Sequence, residues 1–312
     1  MAEVSALIAA LVSPNAFAAP CSPGREDFVN YVTGGNECLA IDVWSGEALK
    51  KPGAHLLAYV HGDAAYNDRL LTKGDSNMNI KKEIADDLKN VGAVQIIRPG
   101  YKTDYNNTIP GGYPFPYEAG KYPVRYSTGK SEHGFDSYTK ENIEAVMHAT
   151  HRLKEHYKAK MVTMTGQSGG ASMILSGAAL FPQYAPDAMV LTSTSCNLKQ
   201  FAIHNRTAYA SPLSISPHTV IKDLPKGIKI VALNGENDEK TPPPLMQSCV
   251  DKAKAAGADI TLIQPYSNHN STSSTPEYHK VLTAILESEP SSTIVAQTPP
   301  SSPSSGFVPA LQ

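Results

Sequence analysis

The stretch MVTMTGQSGGASMIL, residues 161–175, constrains the fold of this chain more than any other. An apolar, strand-like run leads into Gly166-Gln167-Ser168-Gly169-Gly170, and small and apolar residues follow as in the opening of a buried helix. Glycines on either side of the serine permit a tight strand-to-helix turn that lifts its hydroxyl above the edge of a sheet. An isolated Gly/Ser turn would account for the five residues, but not for the strand before them and the helix after. The chain is therefore expected to build an α/β unit around this turn.

The rest of the sequence repeats that alternation. Strand candidates are Leu39 to Val43, Leu56 to His61, Ala93 to Arg98, Lys160 to Thr165, Ala188 to Ser193, Ile228 to Asn234 and Ile260 to Pro265. Helical periodicity covers Asn79 to Asn90, Lys140 to Ala159, Ala171 to Leu180, Pro244 to Ala256 and Glu277 to Ser288. The middle strands are continuous apolar runs, as strands covered on both faces must be. One doubly wound, mostly parallel sheet is the economical reading, and 312 residues suffice for such a domain with insertions.

Two long connections interrupt the pattern, Gly100 to Ser137 and Cys196 to Lys226. Connections of this length in a compact domain usually carry function. From Tyr101 to Tyr138 the chain holds 7 of its 15 tyrosines, a supply of amphipathic rings suited either to lining a pocket or to packing the loop on itself.

Residues 1–19 have the outline of a signal peptide, with an apolar stretch from Ala6 to Val12 and an Ala-x-Ala ending at Ala18, although Glu3 stands where a basic residue is usual. Residues 20–289 are then the folded α/β domain. Residues 290–312 carry no charge and form a Ser/Thr/Pro-rich tail expected to stay outside the fold. No run approaches the roughly 18 apolar residues of a membrane span. A net charge of -2 gives no basic footprint for nucleic acid, which leaves a small molecule or short peptide as the expected partner.

Cys21, Cys38, Cys196 and Cys249 allow three pairings and contain no Cys-x-x-Cys. A secreted or periplasmic location favours the sequential pairing, Cys21 with Cys38 and Cys196 with Cys249, whereas a reducing compartment would leave four thiols. No metal or organic cofactor is expected: His148, His151 and His156 share one predicted helix but not one face, and read as solvent-facing.

A serine hydroxyl is a poor nucleophile until a base takes its proton, and the base is held in one tautomer by a carboxylate. Asp238 follows the strand Ile228 to Asn234, and His269 follows the strand Ile260 to Pro265. Both thus fall just past the carboxyl ends of strands, the edge at which open α/β sheets bind ligands. Glu236 is the rival acid, and His279, inside a helical run, the rival base.

In this order of serine, acid and histidine the chain resembles the α/β-hydrolase superfamily, from about Cys38 to Glu287. The resemblance implies Ser168 as nucleophile, His269 as general base and then acid, and Asp238 as the residue orienting the imidazole. Its oxyanion hole would use the backbone N–H of Gly169 and that of Asp63, or alternatively Ala64, in the loop after Ala58-Tyr59-Val60-His61-Gly62. The His-Gly-Gly-Gly variant of that loop is absent. Arg98-Pro99-Gly100 resembles an Arg-Pro-Gly stretch of the superfamily and is read as setting register. Hydrolysis of a carboxylic ester is the implied activity, with amide or peptide hydrolysis, or a non-catalytic binding protein on the same scaffold, as alternatives. Sequons stand at Asn106, Asn205 and Asn270, the last abutting His269, where a glycan would crowd the site.

Overall fold

A computed structural model describes residues 21–63, 70–71, 76–103, 124–130, 138–207 and 211–288. The readings on residues 1–20, on the tail after 288 and on most of the tyrosine-rich connection lie outside the described residues.

Eight strands form the main sheet: β1 (Tyr31–Gly34), β2 (Glu37–Trp44), β3 (His55–Val60), β4 (Val91–Ile96), β5 (Met161–Gln167), β6 (Ala188–Thr192), β7 (Lys229–Leu233) and β8 (Asp259–Ile263). Their spatial order is β1-β2-β4-β3-β5-β6-β7-β8. From β4 to β8 every pairing is parallel, while β1 and β2 pair antiparallel and β2 joins β4 antiparallel. Every residue of β3, β4 and β5 is buried, as expected of strands covered on both faces. At the edge, β8 mixes buried and exposed positions.

Helices cover both faces. On one lie α2 (Lys140–Tyr157), α3 (Gly169–Leu180) and α5 (Pro243–Ala255); on the other, α1 (Ser76–Asp87) and α6 (Pro276–Glu287). Helix α3 is buried from Gly169 to Ala179, because it is wedged among the sheet, α2 and the second insertion. That environment explains why the segment is apolar all round rather than amphipathic. Met173, Ile174 and Leu175 each contribute about 2 kcal/mol by their burial.

Strand β1 is absent from the sequence reading. It pairs with β2 through the two-residue turn Gly35-Asn36, in which Gly35 takes φ 56°. The histidines of α2 also differ from expectation. His148 is half-buried, accepts the Gly35 N–H at 3.0 Å and stacks on Tyr184, while His156 stacks on Phe28 at the surface. His151 also lies against Tyr184, so all three rings are packing partners, and of the three only His156 is exposed.

The cysteines pair sequentially, Cys21 with Cys38 and Cys196 with Cys249. The second bridge ties the loop after β6 to α5, and both its cysteines are buried. Helix α4 (Leu198–Asn205) begins directly after Cys196 and leans on the neighbouring loop: His204 Nε2 lies 2.7 Å from the Glu239 carbonyl, and the Asn205 amide donates to the Lys240 carbonyl at 2.9 Å. The Asn205 sequon therefore has its amide already engaged. Closing a loop of 53 residues lowers denatured-state entropy by about 4 kcal/mol in the chain-entropy model. A Cys196→Ala, Cys249→Ala variant is expected to lose about that much stability in a denaturant titration, and non-reducing peptide mapping of the wild type to recover the two peptides joined.

Candidate active site

Strand β5 ends at Gln167, and the chain reverses into α3 at Ser168, whose φ of 51° and ψ of -118° lie outside the regions favoured by side-chain-bearing residues. Such a conformation costs on the order of 1–3 kcal/mol and is held by its surroundings. The flanking glycines are what make it possible. A Cβ on Gly166 would stand 2.7 Å from the Ala171 nitrogen, and one on Gly170 2.2 Å from the Val60 carbonyl oxygen. The Ser168 N–H is anchored on the Thr192 carbonyl of β6 at 2.9 Å.

The loops after β7 and β8 bring Asp238 and His269 to this turn. His269 Nε2 lies 3.1 Å from Ser168 Oγ, and Nδ1 lies 3.0 Å from each carboxylate oxygen of Asp238. All three residues are buried. With Nδ1–H donating to Asp238, the lone pair on Nε2 faces the serine hydroxyl. The His269 carbonyl is held in turn by Ser193 Oγ at 3.1 Å and Gln167 Nε2 at 3.3 Å. Glu236 and His279, the rivals, are both exposed, the latter on the outer side of α6.

Burial pushes the Asp238 carboxyl upward, but hydrogen bonds from His269 and from the Thr241 hydroxyl and N–H outweigh it and hold it below the ordinary 3.8. The side chain is thus an anion at neutral pH. A carboxyl depressed by folding adds stability above the unfolded-state value and loses it as pH falls through the lower folded value. Below pH 4 the wild type is therefore expected to lose stability more steeply than Asp238→Asn, which has no proton to take up there; acid titrations at fixed denaturant check this.

Asp63 leaves the end of β3 and lies against the turn. A Cβ on Gly169 would fall 2.0 Å from Asp63 Oδ1 and 2.3 Å from the Tyr138 hydroxyl oxygen. The carboxylate accepts from Arg98 Nη1 at 2.8 Å and from the Tyr138 hydroxyl at 2.7 Å. Arg98, read from the sequence as setting register, is almost wholly buried and so also anchors this loop through a charge-assisted bond. Its backbone N–H donates to Nε2 of His61, whose Nδ1–H points to the Gly62 carbonyl at 2.8 Å. Asp63 and Gly169, the two expected oxyanion donors, are therefore neighbours in space; Ala64 lies outside the described residues. Tyr138, Thr241, Gln167 and Ser193 were not singled out in the sequence for this site: Tyr138, Gln167 and Ser193 act through contacts distant in the chain, and Thr241 through a rotamer that no local pattern encodes. Only Gln167, inside the turn motif, carried a signal that could have marked it.

No family profile matches the chain, and no curated protein does. Solved structures do. An esterase of Pyrococcus furiosus superposes with a TM-score of 0.56 at 13% identity, covering 82% of this chain and 90% of its own. This is the α/β-hydrolase fold. Est1E of Butyrivibrio proteoclasticus, solved with ferulic acid, shares the fold at TM-score 0.55 and 12% identity over 83% of this chain and 96% of its own. The acylaminoacyl peptidase of Pyrococcus horikoshii does so at 0.54 and 12%, over 81% of this chain but 39% of its own. Esterases and a peptidase thus share the α/β-hydrolase architecture found here, with hydrolysis common to them.

Proposed function

We propose that the protein is a serine hydrolase that cleaves carboxylic esters through an acyl-enzyme. The observation that carries this reading is the continuous relay from Asp238 to His269 Nδ1 and from His269 Nε2 to Ser168 Oγ, at 3.0 and 3.1 Å. Ser168 Oγ attacks the ester carbonyl while its proton passes to His269 Nε2, and Asp238 stabilises the imidazolium that forms. The backbone N–H groups of Gly169 and Asp63 receive the developing oxyanion. Collapse of the tetrahedral intermediate breaks the bond to the leaving alkoxide, which takes the proton from Nε2. Water, deprotonated by the same nitrogen, then attacks the acyl carbonyl and releases the acid and free Ser168.

Esters are preferred to amides in this reading because the two esterases match over nine-tenths or more of their own length, the peptidase over 39%. Two disulfides support export to a periplasmic or extracellular space, and among the described residues no helix is long and apolar enough to cross a membrane.

A fluorophosphonate probe is expected to label Ser168 stoichiometrically, with p-nitrophenyl esters turned over faster than the matching aminoacyl p-nitroanilides. Absence of labelling would identify a binding protein on the α/β-hydrolase scaffold. Faster turnover of the anilides would make the protein a peptidase.

A further inference from the structure

The carboxylate of Asp238 is not oriented by His269 alone. Thr241, three residues on and fully buried, reaches it twice: its N–H donates to Oδ1 at 2.8 Å and its hydroxyl to Oδ2 at 2.6 Å. The same hydroxyl oxygen lies 3.2 Å from His269 Nδ1. Asp238, Thr241 and His269 thus close a ring of three side chains. The Lys240 N–H adds a further bond to Oδ1 at 3.0 Å, and the Thr241 carbonyl is fixed by the Asn234 side chain at 2.8 Å, which roots the ring in the end of β7.

We infer that Thr241 is a positioning residue of the hydrolytic site, one that fixes the rotation of the Asp238 carboxylate through its hydroxyl and so sets the plane of the His269 imidazole. This rests on the assignment of Ser168, His269 and Asp238 made above. A carboxylate held only by backbone N–H groups on Oδ1 can rotate about its Cβ–Cγ bond. A short hydrogen bond on Oδ2 removes that freedom, and a hydrogen bond to a charged partner is among the stronger ones in proteins. Among the described residues Thr241 makes no hydrogen bond to Ser168, and its hydroxyl lies closer to Asp238 Oδ2 than to His269 Nδ1, 2.6 against 3.2 Å, so its effect travels mainly through Asp238.

That route dictates the experiment. With p-nitrophenyl acetate as probe, Thr241→Val, which keeps the shape and removes the hydroxyl, is expected to lower kcat about 10- to 100-fold with KM within about twofold. Thr241→Ser is expected to restore most of the loss. In an Asp238→Ala background the same Thr241→Val change should alter kcat less than about threefold, because the group it acts through is gone. Equal losses in both backgrounds, or no loss in the first, would overturn the assignment. Melting curves check folding. If Thr241→Val does not fold, Thr241→Ala carries the measurement, and failure of both makes Thr241 a purely structural residue. Ser168→Ala is assayed alongside: if it stays active the parent assignment fails, whereas an inactive Ser168→Ala beside an unaffected Thr241→Val rejects the Thr241 role alone.

Discussion

Ser168→Ala and His269→Ala are each expected to lower kcat toward an ester substrate by about 10⁴ to 10⁶, and the double variant scarcely further. The reason is geometric. Nε2 of His269 and Oγ of Ser168 are 3.1 Å apart in a buried site, and among the described residues each is the other's hydrogen-bond partner for the proton transfer. Once the serine is gone there is no alkoxide for the imidazole to generate, and once the imidazole is gone the hydroxyl stays protonated. Losses that multiply in the double variant would show two groups acting separately and would refute the relay. What activity survives would come from binding and from the Gly169 and Asp63 N–H groups, about 10³ to 10⁴ over water in enzymes of this type. His269→Ala removes a hydrogen-bond partner of the buried Asp238 carboxylate and is expected to cost stability as well as activity, whereas stability should change little in Ser168→Ala. Indeed Ser168 holds a backbone conformation with φ 51° whatever its side chain, and glycine at that position would relieve the strain rather than add to it.

The parts of the fold that sequence made legible are those in which local pattern and tertiary position say the same thing. Apolar runs in β3, β4 and β5 read as strands because both their faces are covered. The turn at Ser168 was legible because its glycines are dictated by backbone contacts, those of Gly166 with Ala171 and of Gly170 with Val60. Asp238 and His269 were found through their places after strands, which the parallel order β6-β7-β8 turns into proximity. Strand β1 escaped despite the Gly35-Asn36 pair, a hairpin cue with glycine first, because four residues are too few to display a period. The polar supports escaped for a different reason. Arg98 meets Asp63 across 35 residues, and Ser193 meets the His269 carbonyl across 76, so no local spacing announces either contact. Thr241 lies only three residues from Asp238, yet its role depends on a rotamer that composition and periodicity do not encode.

Asp238→Asn is expected to be the second most damaging single change, lowering kcat by up to about 10⁴ while Glu236→Gln leaves it within about twofold. Asparagine fits the same space, so the loss is one of proton placement and not of packing. In the wild type both carboxylate oxygens accept, taking Nδ1–H of His269, the Thr241 hydroxyl and two backbone N–H groups. An amide offers one acceptor and one NH₂ donor in their place. The Lys240 and Thr241 N–H groups at Oδ1 favour keeping the amide oxygen there, which turns the NH₂ toward the Thr241 hydroxyl and His269 Nδ1. A donor facing Nδ1 stabilises the tautomer protonated on Nε2, and that tautomer cannot accept the Ser168 proton. The Thr241 hydroxyl must reverse its own bond to accommodate the amide. Glu236 lies exposed on the same loop, with its backbone N–H on the Pro265 carbonyl at 2.9 Å and, among the described residues, no side-chain hydrogen bond to the relay, so its change to glutamine leaves the relay untouched. Steady-state kinetics of the two variants decide between the carboxylates: a crippled Glu236→Gln beside an active Asp238→Asn would transfer the orienting role to Glu236 and remove Thr241 from the site with it.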